Sequence, residues 1–168
     1  MPITESPDIV HACVVVGATD TRYRSAGRGD AVVLLAADPA TAAALLERLP
    51  RHLRAIAPDT MPMGIVGPEA AEAFDGWLHG FLDALGIPRT SLITDAFFAA
   101  ATLGFALLDP ERVYGVVFLT STEVRPTEAL ADRAERVRES GTSLLVTPCT
   151  FEQGRLSDAV VEEIADFL

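Results

Sequence analysis

Lysine is missing from this sequence, and all 13 basic residues are arginine. Without a lysine amine, Schiff-base chemistry is ruled out. Cysteine is nearly missing as well. Cys13 and Cys149 lie far apart with no CxxC spacing, so the sequence suggests neither a zinc site nor a disulfide framework, and no metal and no cofactor is expected. Histidine occurs only as His11, His52 and His79. No apolar run approaches the roughly 18 to 20 residues that cross a bilayer. Met1 to Asp8 carries two acidic residues, no basic one and no apolar stretch, which does not fit a secretory signal, so a cytoplasmic protein is expected. Positive charge is scarce, with 24 acidic residues giving a net charge of −11. Such a surface repels phosphate backbones and anionic headgroups, and neither nucleic acid nor membrane is expected as a partner.

What is present is enough for one core. The 168 residues suit a single domain over 1–168, and 49% of them are hydrophobic. No repeat, linker or low-complexity tract interrupts the chain. Val10 to Val16 is an apolar β-branched run closed by Gly17-Ala18-Thr19-Asp20, and Thr21 to Ser25 alternates as if to return antiparallel. Ala31 to Ala36 is continuously apolar, the pattern of a strand buried on both faces of a parallel sheet. Asp38-Pro39 opens a helix to about Leu49, with the acid as N-cap and the proline at the first helical position.

Strand and helix patterns then alternate. Strands are expected at Leu53–Ala57, Ser91–Thr94, Val113–Leu119 and Ser143–Val146. Helices are expected at Glu69–Leu85, Ala96–Leu108 and Pro126–Glu139, with a last one capped by Ser157. The pattern predicts an α/β fold: a three-layer sandwich around a mostly parallel, doubly wound sheet of about seven strands. Ligands of such sheets bind beyond the carboxyl ends of the strands.

Several stretches resemble the α/β-hydrolase fold superfamily in register. Arg22–Gly29 followed by Val32–Leu35 is similar to the approach to its third strand, and Arg54–Asp59 to the end of its fourth. Phe81–Ile87 with Ser91–Ile93 resembles the approach to the nucleophile elbow, Pro110–Leu119 the sixth strand, and Ala165–Leu168 the last helix. The resemblance implies that fold in a small form. Only about two dozen residues separate Leu119 from Ser143, and one helix takes most of them, so no lid is expected.

The departures from the family pattern fall on its chemistry. The G-x-S-x-G elbow, which presents the serine at a strained strand-to-helix turn, is matched by Thr94-Asp95-Ala96-Phe97-Phe98. Ala96 has no nucleophilic atom. The His-Gly pair after the third strand, whose backbone helps form the oxyanion hole, is matched by Ala36-Ala37, and Thr150 falls where the histidine belongs. The stretch between Gly141 and Ser157 is too short for the strand–helix unit that carries the acid. Losing the serine or the histidine alone costs such a triad about a million-fold in turnover. The resemblance therefore implies the fold without Ser-His-Asp hydrolysis.

The polar groups expected at the strands' carboxyl ends are Asp38, Asp59, Thr94, Asp95, Thr120, Ser121, Thr122, Glu123, Cys149, Thr150 and Glu152. Asp95, one residue before the elbow position, is the candidate acid or base; its plainer role is a helix cap. Asp38 reads as a cap, Asp59 as loop support, Glu123 as a solvated loop residue, and Cys149 as an inert thiol without a basic partner. Phe97 and Phe98 stand where the family keeps small residues, and either refill the core or shape a pocket. The expected pocket comprises Ala36, Ala37, Asp38, Thr94, Ala96, Phe97, Phe98, Thr120, Ser121, Cys149 and Thr150. The loop bearing Met61, Met63, Ile65 and Val66 is apolar and borders the same region.

Two functions fit. One is a non-hydrolytic enzyme of isomerase, cyclase or lyase type, acting on an apolar small molecule in biosynthetic metabolism. The other is a non-catalytic protein whose crevice holds a ligand or a partner. An apolar crevice without a lid needs a cover, and a homodimer supplies one through a single self-complementary patch.

Overall fold

The computed structural model describes residues 8–59, 68–120, 126–149, 151–152 and 155–168. In chain order the elements are β1 (Val10–Val16), β2 (Thr19–Ala26), β3 (Asp30–Leu35), α1 (Pro39–Arg48), β4 (Leu53–Pro58), α2 (Pro68–Ala84) and β5 (Thr90–Thr94). They continue as α3 (Ala99–Leu108), β6 (Val113–Thr120), α4 (Glu128–Glu139), β7 (Ser143–Pro148), β8 (Phe151–Glu152), β9 (Arg155–Leu156) and α5 (Asp158–Phe167). Seven strands form one sheet in the order β1-β2-β4-β3-β5-β6-β7, and β8 pairs with β9 as a separate hairpin. β1 and β2 are antiparallel, and β2 runs antiparallel to β4. The strands from β4 to β7 are mutually parallel.

The apolar run in β3 explains its central place. Val33 and Leu35 face the core beneath α2, α3 and α4, while Val32 and Leu34 face the core beneath α1 and α5. All four are essentially inaccessible to solvent, so the strand has no face to give to water, as continuous β-branched and leucine runs require. The result is the expected three-layer sandwich. Each fully buried leucine, isoleucine or phenylalanine contributes about 1.5–3 kcal/mol.

The β2–β3 turn is held tight by glycine. Gly27 has φ of +81°, and a Cβ there would stand 2.1 Å from the carbonyl oxygen of Leu53. No side chain fits, so the turn can lie flat on the start of β4.

The chain steps from β3 to its neighbour β4 through α1, then crosses back over β3 to β5 through α2. The crossover direction therefore reverses between β3 and β5, which opens a crevice at their carboxyl ends. Residues 121–127 alone connect β6 to α4, too few for a cap domain.

Some boundaries differ from the sequence expectation. The helix expected from Ala96 begins at Ala99, after a turn over Ala96–Phe98. The helix expected from Pro126 begins at Glu128, capped by the Thr127 side chain, which accepts from the backbone N–H of Leu130. Ser157 stands at the N-cap of α5, but its side chain makes no capping bond.

Candidate functional site

Every strand end next to the switch point contributes to one open crevice of about 270 Å³. Asp38 and Thr41 come from the start of α1 after β3, and Asp95, Ala96 and Phe97 from the turn after β5. Leu119 and Thr120 close β6, and Cys149 follows β7. Five of these belong to the expected pocket, namely Asp38, Ala96, Phe97, Thr120 and Cys149, and a sixth, Asp95, is the expected acid or base. Thr41 and Leu119 were not expected. Asp38 three residues earlier was the only available signal for Thr41, since a cap's carboxylate commonly meets the side chain one turn on.

Asp38 caps α1 as its sequence context predicts. Its Oδ1 accepts from the N–H of Ala40 at 3.2 Å, and its Oδ2 accepts from the N–H of Thr41 at 3.1 Å and from the Thr41 hydroxyl at 2.7 Å. The Thr41 hydroxyl bond, reinforced by the two backbone N–H groups, holds the carboxyl below the ordinary aspartate range against the opposing effect of burial.

Asp95 is engaged on both oxygens. Oδ1 accepts from the backbone N–H of Phe97 at 3.0 Å and of Phe98 at 3.1 Å, and Oδ2 accepts from the backbone N–H of Ala37 at 2.6 Å. The first two bonds satisfy donors that would otherwise be orphaned in the turn leading to α3. The third reaches the loop after β3, 58 residues away in sequence. Asp95 is thus a cap and a tie between two loops.

The other expected pocket members lie elsewhere. Thr94 is buried beneath the turn, its hydroxyl donating to the carbonyl of Asp95 and accepting from the Thr102 hydroxyl. Phe98 is 4% exposed and stacks on Phe74 in the core, whereas Phe97 is 62% exposed at the crevice mouth. Of the two phenylalanines, one refills the interior and the other faces out. Ala36 and Ala37 do not line the crevice; they pack against opposite cores, Ala36 beside α1 and Ala37 beneath α2 and α3. Ser121 and Thr150 lie outside the described residues, as do Thr122, Glu123, Met61, Met63, Ile65 and Val66.

Cys149 is half-buried, and burial pushes its thiol up; the nearby Asp38 and Asp95 carboxylates add to that, against the opposing influence of the Thr41 hydroxyl beside it. A thiol held protonated is a poor nucleophile. Among the described residues no group of three or more His, Cys, Asp or Glu could hold a metal ion.

The three histidines sit away from the turn. His11 is on β1, four strands from β5, about 19 Å at ordinary strand spacing. His52 precedes β4 and so lies at the amino ends of the parallel strands, opposite the crevice. His79, on α2, contacts Phe105 and stands 3.7 Å from Asp109 at the far end of α3, about 15 Å along that helix from the turn.

Comparison with known proteins places this architecture. No family model matches the chain. A 2-hydroxy-6-oxo-2,4-heptadienoate hydrolase of Pseudomonas putida is 31% identical over 122 residues, covering 66% of this chain and 44% of that protein. Among solved structures, an epoxide hydrolase of Vigna radiata superposes with a TM-score of 0.58 at 22% identity, over 74% of this chain and 46% of that one. A 2-hydroxy-6-oxo-6-phenylhexa-2,4-dienoate hydrolase of Rhodococcus gives 0.58 at 21% identity, over 68% of this chain and 47% of that one. The chain has the α/β-hydrolase fold, and its matched region spans less than half the length of these relatives. Among the described residues no helix is long and apolar enough to cross a membrane.

Proposed function

We propose that this chain is a non-hydrolytic protein of the α/β-hydrolase fold, whose crevice binds a small, largely apolar molecule rather than breaking it. The observation that carries this reading is the state of Asp95, the residue best placed for acid–base work: three backbone N–H groups already occupy its carboxylate. Beside it, Ala96 offers a methyl group where the fold presents its nucleophile, and the Cys149 thiol is held protonated chiefly by burial. No histidine of the chain is within reach of the turn to serve as a base. The apolar part of the crevice comes from Ala96, Phe97 and Leu119, enough to hold an aliphatic or aromatic group, and among the described residues its lining includes no cation to fix an anionic one.

The dienoate and epoxide hydrolysis named for the relatives is thus not carried over. Neither is an isomerase or lyase reaction with Asp95 as acid or base. The test is a pair of measurements on the purified chain. NMR titration with apolar probes such as indole or cyclohexanone is expected to shift crevice amides around Phe97 and Thr120, while activated esters, epoxides and a dienoate are left intact. Turnover of any of them that falls on Asp95→Asn or Cys149→Ala would overturn the reading.

Phe97 supports a second reading. A large ring 62% exposed at the crevice mouth suits a contact with another copy of the chain, which would cover the crevice by two-fold symmetry. Sedimentation would then report a dimer that Phe97→Ser converts to monomer. A monomer unaffected by that change excludes it.

A further inference from the structure

In this fold the developing oxyanion is held by two backbone N–H groups, one from the residue after the nucleophile and one from the loop after the third strand. The corresponding donors here are the N–H groups of Phe97 and Ala37. Both point at the same side chain, the carboxylate of Asp95, at 3.0 Å and 2.6 Å. A third donor, Phe98 N–H, completes the cradle at 3.1 Å.

We propose that Asp95 is a tethered anion that permanently fills the oxyanion hole of this protein. The geometry and the electrostatics agree. The carboxylate carries the charge that an oxyanion would carry, and it spans two loops 58 residues apart, with Oδ2 on the Ala37 N–H and Oδ1 on the N–H groups of Phe97 and Phe98. It also lies against the amino end of the ten-residue helix α3, where negative charge is favoured. Asp95 precedes Ala96 in the chain, so folding over its own turn brings it to the Phe97 and Phe98 donors, while Ala37 comes to it from the loop after the paired strand β3.

This inference deepens the binding reading, on which it rests for the ligand's presence, by fixing the ligand's class. A substrate carbonyl, a phosphate or a free carboxylate cannot use these amides unless Asp95 leaves, and a departing carboxylate would lose three hydrogen bonds and stand close to the incoming charge. With Asp38 ionised beside the same crevice, the site selects neutral molecules and rejects the carboxylates that the name of the Pseudomonas relative specifies. Asp95 acts here as an autoinhibitory, positioning group rather than a catalytic one.

Two measurements test the occupancy. In Asp95→Ala the amides lose their anion, and sodium acetate is expected to take its place. Acetate at about ten times its dissociation constant should raise the variant's melting temperature by about 3 °C, saturably, against a sodium chloride control of equal ionic strength, and should leave the parent unchanged. A structural cap alone would give a destabilised variant that acetate does not restore. Acetate acting on both proteins alike, or on neither, overturns the proposal. Should Asp95→Ala fail to fold, the parent protein serves. Scalar couplings across hydrogen bonds should connect the amide nitrogens of both Ala37 and Phe97 to the Asp95 carboxylate carbon. Their absence in a well-resolved spectrum overturns the proposal. The coupling measurement contains no ligand, so its failure and that of the binding reading are separately visible.

Discussion

Asp38 and Asp95 line one crevice, and each uses its carboxylate on backbone amides. For Asp38 the consequence is measurable as stability. Its folded pKa is lowered, chiefly by the Thr41 hydroxyl, so its contribution is complete above the ordinary aspartate value and is lost as pH falls through the lowered one. Asp38→Ala should therefore cost about 1 kcal/mol at pH 7, and the gap between variant and parent should narrow in thermal melts near pH 3. Asp75 on α2 has the opposite sign. Burial raises its pKa, Glu72 adds to the rise and His79 opposes it. What it contributes is complete at low pH and lost as pH rises through the raised value. Urea titrations should accordingly find Asp75→Asn gaining on the parent from pH 4 to pH 7. The adjacent phenylalanines give a sharper contrast. Phe98→Ala empties a core position stacked on Phe74 and should cost about 3–5 kcal/mol. Phe97→Ala removes a ring that is mostly in water and should stay within about 0.5 kcal/mol. Chemical denaturation of the two variants decides which ring is interior.

At the scale of elements, periodicity made most of the fold legible. β3 follows from its unbroken apolar run and α1 from Asp38-Pro39. The seven-strand parallel-dominated sheet follows from strand and helix patterns repeating in turn. The errors gather at the β5–α3 junction. Local pattern starts α3 at Ala96, because alanines and phenylalanines read as helix; instead Asp95 captures the N–H groups of Phe97 and Phe98 and holds three residues in a turn. Which phenylalanine points inward depends on the backbone angles of that turn, and composition cannot supply them. The bond from Ala37 to Asp95 is less legible still, since it joins positions with no local relation. The glycine turns were readable as turns, but not their tightness. Gly27→Ala places a Cβ 2.1 Å from the Leu53 carbonyl at a φ of +81°, so the β2–β3 turn must move off β4. A loss of about 2 kcal/mol or more is expected, at the upper end for single substitutions away from the largest core residues, read as a lowered denaturation midpoint.

Across the whole molecule, the fold supplies a crevice at the switch point between β3 and β5, and the side chains there decide what it does. The sheet order places four strand ends around it, and no cap domain interrupts β6 and α4. The relatives named for hydrolysis share this frame over less than half their length. If this chain merely carried a hydrolase site with its nucleophile missing, restoring that one atom would restore the chemistry. If the oxyanion donors are taken by Asp95 and no histidine is within reach, it would not. Ala96→Ser in the otherwise unchanged chain, assayed with p-nitrophenyl acetate, separates the two. Hydrolysis is expected to remain at the buffer rate. An Ala96→Ser protein that cleaves the ester about a thousand-fold faster than buffer, the level an oxyanion hole and binding alone sustain, would contradict the proposal that this crevice binds without hydrolysing.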